Sequence, residues 1–134
     1  MAYGYESITI NSGAAAGADG SATANNTSGH IVVGEICSIG VTYGDSPPAS
    51  TDVTIATAGS NGPALTLLTL TNANSDGWFH LRHKTDDESG ADITYDGSNE
   101  VYEKVCIADT IKVTIAQANS PDTAEVVVVY YAGR

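Results

Sequence analysis

Hydrophobic and polar positions alternate along most of this chain with a period of two. Ile111, Val113 and Ile115 are separated by Lys112, Thr114 and Ala116. Side chains of a strand point alternately to opposite faces, so this spacing predicts a strand with one apolar and one mixed face. In a second run, Ile31, Val33, Cys37, Ile39 and Val41 fall on one side, and Gly34, Ser38, Gly40 and Thr42 fall mostly on the other. The final run, Val126 to Val129 followed by Tyr130 and Tyr131, is apolar on both faces. That suits a central strand or one covered by a partner. Strands are predicted over 30–43, 52–58, 64–71, 77–83, 101–107, 110–118 and 123–131. Turn-forming clusters separate them: GDSPPAST at 44–51, GSNGP at 59–63, NANSDG at 72–77 and NSPD at 119–122. No stretch reads as a helix. The pattern predicts an all-β fold, a single antiparallel β-sandwich or small β-barrel.

The first 29 residues read differently. Residues 3–10, YGYESITI, predict a short strand or a docking arm. Residues 11–29 hold nothing larger than Asn or Asp, and Gly13, Gly17 and Gly20 argue against a helix at Ala14 to Ala16. Such a segment has almost nothing to bury. The expected organisation is an N-terminal arm with a flexible linker over 1–29 and a β domain over 30–134.

Composition narrows the function. The chain has 134 residues, 16 acidic and five basic, for a net charge of −11. Binding nucleic acid requires Lys and Arg to neutralise phosphates, so contact with nucleic acid or an anionic membrane is not expected. The acidity suits solubility or a basic patch on a partner. No apolar run approaches the roughly 20 residues that cross a bilayer. MAYGYESITI lacks the basic and apolar regions of a signal peptide, so folding in a reducing cytoplasm is expected. Cys37 and Cys106 fall in different predicted strands. They read as small buried apolar residues, with a disulfide as the alternative.

Candidate chemistry is sparse. His80, Arg82 and Lys84 would share one face of a strand as a small basic patch, but Asp86, Asp87 and Glu88 just downstream would balance it. Together with Asp92 and Asp96 these acids offer carboxylate oxygens to Ca²⁺, yet their spacing is not that of an EF-hand, and a solvated loop is the simpler reading. Paired carboxylates can hydrolyse glycosides, but any acidic β protein offers such pairs by chance. No nucleophile-elbow, zinc-protease or phosphate-loop motif is present. No catalytic residue, metal ligand or cofactor is therefore assigned, and the chain is expected not to be an enzyme. Trp78 and Phe79 open a strand after a turn, one facing the core and one exposed. Tyr3 and Tyr5 near one end and Tyr130 and Tyr131 near the other are residues favoured at protein interfaces.

Five segments carry a resemblance: TDVTI (51–55), LTLLTLTN (65–72), SDGWFHLRH (75–83), ITYDGSNEVYEKV (93–105) and DTIKVTIAQAN (109–119). Residues 51–131 resemble small structural proteins encoded among the head genes of tailed bacteriophages. The resemblance implies a capsid decoration (cement) protein on the outer surface of the virion. It would act as a homotrimer that binds the major capsid protein and stabilises its contacts. No catalytic motif accompanies it. On this reading Tyr3, Tyr5, Ile8 and Ile10 are the expected capsid contact, and Tyr130 and Tyr131 an expected subunit interface. The rival expectation is a carbohydrate-binding or host-adhesion domain of a virion fibre or spike. It would place an exposed aromatic such as Trp78, with Asp or Asn side chains, around a sugar.

Overall fold

A computed structural model describes residues 4–133. Its strands are β1 (Tyr5–Asn11), β2 (Ala22–Thr27), β3 (Val32–Gly44), β4 (Asp52–Thr57), β5 (Thr66–Leu70), β6 (Gly77–Phe79), β7 (His83–Lys84), β8 (Tyr102–Glu103), β9 (Cys106–Asp109), β10 (Ile111–Ala118) and β11 (Thr123–Tyr131). Among the described residues there is no helix, and the fold is all-β and antiparallel, as the alternation predicts. One sheet runs β1-β11-β3-β6, with β9 also pairing β3. A second runs β2-β10-β4-β5, and β7 and β8 form a separate ribbon.

The two large sheets enclose one core. From the first sheet Ile10, Ile36, Ile39, Val41, Val126, Val128 and Tyr130 point inward, and from the second Val53, Ile55, Ile111, Val113 and Ile115. The alternation in β10 is obeyed in full, because Ile111, Val113 and Ile115 are each 0% exposed. Burying side chains of this size contributes roughly 1.5–3 kcal/mol apiece. Strand β11 is central, with β1 on one side and β3 on the other. Val127 and Val129 remain half-buried on its outer face.

The long strand β3 departs from the predicted face. Ile39 and Val41 are buried as expected, but Ile31 is 46% exposed and Val33 59%, while Val32 and Ile36 are fully buried. The cause is a β-bulge. Ile36 pairs with Tyr130 and Ser38 with Val129, which leaves Cys37 as an extra residue. One extra residue shifts the face on which every preceding side chain lies. Gly34 sits before the bulge with φ +152°, and a Cβ there would strike the carbonyl oxygen of Tyr131. Only glycine fits.

The division at residue 29 is corrected. Strand β1 pairs with β11 along its whole length, from Tyr5↔Tyr131 to Asn11↔Glu125. Strand β2 pairs with β10, from Thr27↔Lys112 to Ala22↔Ala118. The first strands are therefore edges of both sheets, not a tethered arm. The intervening residues are also fixed: Ala15 N–H donates to Asp122 O (2.8 Å), and Gly20 N–H to Asn119 Oδ1 (2.8 Å). Small residues here bury little side chain, but their backbone supplies the strand pairing.

Candidate functional site

Two exposed features are built by the chain's own turns. The first is a lobe spanning residues 83–103. Its stem is the β7–β8 ribbon, with His83↔Glu103 and Lys84↔Tyr102 paired. Above the stem the backbone closes a ring. Thr85 N–H donates to Val101 O (2.9 Å), Val101 N–H to Ile93 O (3.0 Å), and Ile93 N–H to Thr85 O (3.0 Å). The ring is a three-way junction from which two small hairpins leave, held by bridges at Asp86↔Asp92 and Thr94↔Glu100.

Aspartates shape both tips. Asp87 Oδ1 accepts from Ser89 N (2.8 Å), Ser89 Oγ (2.7 Å) and Ala91 N (3.0 Å). Asp96 Oδ1 accepts from Asn99 N (2.7 Å) and Ser98 N (3.0 Å). These hydrogen bonds favour the charged form and hold both carboxyls below the usual carboxylate range, led by the Ser89 hydroxyl for Asp87 and the Asn99 N–H for Asp96. Lys84 Nζ spans from the stem to both hairpins, 3.0 Å from Glu100 and 3.5 Å from Asp92. The Glu100 hydrogen bond first, then the charge of Asp92, raises its pKa. Asp87 and Asp96 thus shape the two turns, and Asp92 pairs with Lys84. Among the described residues no group of three or more His, Cys, Asp or Glu is arranged to hold a metal ion.

The lobe is acidic and carries aromatics. It contains seven of the 16 carboxylates, with Lys84 its one Lys or Arg. Tyr95 is 74% exposed, Tyr102 55% and Ile93 36%.

The second feature lies on the outer face of the β1-β11-β3-β6 sheet, where Val127, Gly40 and Trp78 form one cross-strand row. Trp78 is 59% exposed, while its neighbour Phe79 packs against the core, as adjacent residues in a strand should. His80 Nδ1 lies 3.0 Å from the Ser38 hydroxyl on the same face.

The predicted contact residues are dispersed. Tyr3 lies outside the described residues. Tyr5 is exposed and meets Tyr131 edge to face, with ring centroids 5.4 Å apart. Ile8 packs partly against the core, and Ile10 is 3% exposed inside it. Tyr130 is also buried, and burial with Glu6 nearby raises its pKa. Ile10 and Tyr130 are therefore corrected from contact residues to core residues. The reason is their inward phase in β1 and β11.

The basic patch does not form along one strand, because β6 ends at Phe79 and Lys84 belongs to the ribbon. Both cysteines are free thiols, Cys106 exposed and Cys37 half-buried. Cys106 shares an open pocket of about 590 Å³ with Glu35, His83, Glu103 and Lys104. Lys104 there is paired with Glu35 (3.2 Å), and His83 Nε2 lies 3.5 Å from Glu103 Oε1.

The sequence reading missed Asp109. This 1%-exposed carboxylate receives Gly59 N–H (2.9 Å) and Gly62 N–H (3.3 Å) on Oδ2 and Thr110 N–H (2.7 Å) on Oδ1. Burial pushes its pKa up, but the backbone donors outweigh burial and leave it lowered. Its role is to pin the GSNGP turn to β9.

The chain matches no protein-family model, no curated protein and no solved structure.

Proposed function

We propose that this protein is a capsid decoration protein of a tailed bacteriophage, a non-enzymatic homotrimer that binds the major capsid protein on the outside of the head. The observation that carries the binding role is the three-way β lobe. Its turns are fixed by Asp87 and Asp96, so Tyr95 and Tyr102 are presented without a further ordering cost. Tyrosine is enriched among the residues that dominate binding energy. The surrounding carboxylates fit a basic groove on the partner and would speed encounter with it. The assignment to a phage head, and to a trimer, is supported by the resemblance of residues 51–131. The contact moves from the N-terminal strand, whose inward face is occupied by the core, to the lobe.

Co-sedimentation with heads stripped of the protein, compared with unexpanded proheads, tests the proposal. Saturable binding to mature heads at a fixed ratio to the major capsid protein is expected. The double substitution Tyr95→Ser, Tyr102→Ser should weaken it at least tenfold, since a hot-spot tyrosine is worth about 2 kcal/mol or more. Both side chains are exposed, so the melting temperature should not move. Failure of the wild-type chain to bind either shell refutes the capsid role, and unchanged binding by the double variant refutes the lobe as the contact.

A further inference from the structure

The arrangement of Trp78 on Gly40 is built for something other than filling the core. A Cβ added to Gly40 would lie 2.9 Å from Cη2, 2.9 Å from Cζ3 and 3.0 Å from Cε3 of the indole. Near-equal distances to three consecutive ring atoms place that position over the ring face, because an in-plane approach would reach one atom well before its neighbours. One face of the ring therefore rests on the glycine, and any side chain at residue 40 would lift it. Glycine in mid-strand weakens the strand and often marks the close approach of another group. With one face covered and 59% of the residue exposed, the opposite face is open to solvent.

Polar groups border the platform. A pocket of about 250 Å³ is bounded by Gly40, Thr42, Asp76, Trp78 and Val127. Asp76 Oδ1 accepts the Tyr43 N–H (2.9 Å), while Oδ2 has no partner among the described residues. The Ser38–His80 pair lies on the same sheet face. The volume is below the usual range for drug-sized ligands and suits a single ring.

We propose that the open indole face of Trp78 and the carboxylate of Asp76 form a binding site for a pyranose ring of a neutral glycan. The axial C–H face of a pyranose is apolar and flat enough to stack on an indole, and its adjacent hydroxyls donate to a carboxylate. A nucleobase would also stack, but its phosphates meet a chain of net charge −11. Uronic and sialic acids are disfavoured for the same reason, and by Asp76 itself. The site lies apart from the lobe and does not depend on the capsid role.

Trp78 is the only tryptophan, so intrinsic fluorescence reports this site directly. The full chain is titrated with neutral gluco-, galacto-, manno- and N-acetylhexosamine oligosaccharides, and with oligogalacturonate as an anionic counterpart. A saturable emission change is expected with at least one neutral glycan and not with the oligogalacturonate. Asp76→Asn retains an acceptor for the Tyr43 N–H but loses the charge, and should bind about tenfold more weakly. Trp78→Ala should abolish binding measured by calorimetry while its circular dichroism stays that of the parent. Three results overturn the proposal: no saturable response to any neutral glycan up to about 10 mM, beyond the weak end of single-site affinities; an equal response to the anionic glycan; or unchanged affinity in Trp78→Ala. No capsid is present in these titrations, so failure here leaves the co-sedimentation result standing.

Discussion

Replacing Ile10 with alanine distinguishes a strand that belongs to the core from one that merely lies against it. Ile10 is 3% exposed, pairs with Val126 and belongs to the shared apolar cluster. The substitution removes three carbons, worth about 2.4 kcal/mol at about 0.8 kcal/mol each. The cavity left behind adds roughly 1 kcal/mol, for a total of about 3.4 kcal/mol, within the observed range for such changes. At about 2.1 cal/mol/K per residue, 134 residues give a melting entropy of about 0.28 kcal/mol/K. The melting temperature should therefore fall by about 12 °C. The neighbouring exposed Thr9 is the control, and Thr9→Ala should cost no more than about 0.5 kcal/mol, or roughly 2 °C. Thermal melts followed by far-ultraviolet circular dichroism measure both. If Ile10→Ala melts with Thr9→Ala, strand β1 is not part of the cooperative unit and the argument fails.

Two further predictions concern the bulge and the buried carboxylate. Val32→Thr should cost about 1–3 kcal/mol, because it places a hydroxyl among apolar side chains. Val33→Thr, on the exposed side, should stay within about 0.5 kcal/mol; urea titration that gives the reverse order would mean β3 keeps its predicted phase. Asp109 has a folded pKa below its usual value of 3.8, so its contribution to stability is complete above that value and is lost as pH falls through the folded pKa. Asp109→Asn should lower stability at neutral pH and flatten the acid limb of the stability curve below about pH 4. An acid limb identical to the parent's would show that Asp109 does not contribute to it.

The strands that bury one whole face were legible in the sequence. Ile111, Val113 and Ile115 announce β10, and the valines of β11 announce a central position. Strand β2 was not legible, because in ATANNT only Ala22 is buried and the strand is defined by its backbone partners on β10. The phase of β3 was hidden because a bulge depends on a partner strand, here β11, and leaves no mark on the alternation before it. Residues 84–100, most of the lobe, read in the sequence as a connection between two strands for a similar reason. The lobe's order comes from backbone hydrogen bonds and from Asp87 and Asp96, not from apolar periodicity. Trp78 was visible as an aromatic of interest, but its platform depends on Gly40, 38 positions earlier in the chain. A glycine within a strand run was the one available signal.

The pairing of the first strand with the last has a mechanical consequence. Gly4 N–H donates to Gly133 O (3.2 Å) and Ala132 N–H to Gly4 O (2.9 Å), so the outer ends of β1 and β11 lie side by side. In an antiparallel pair the hydrogen bonds run perpendicular to the strands. A force that draws residues 4 and 133 apart therefore acts along the bonds of the outermost rung and not across the whole ladder. The rungs yield in sequence, from Tyr5↔Tyr131 inward to Asn11↔Glu125. The molecule is thus unzipped by tension at this corner, whereas load spread over the sheet faces is shared by many bonds at once.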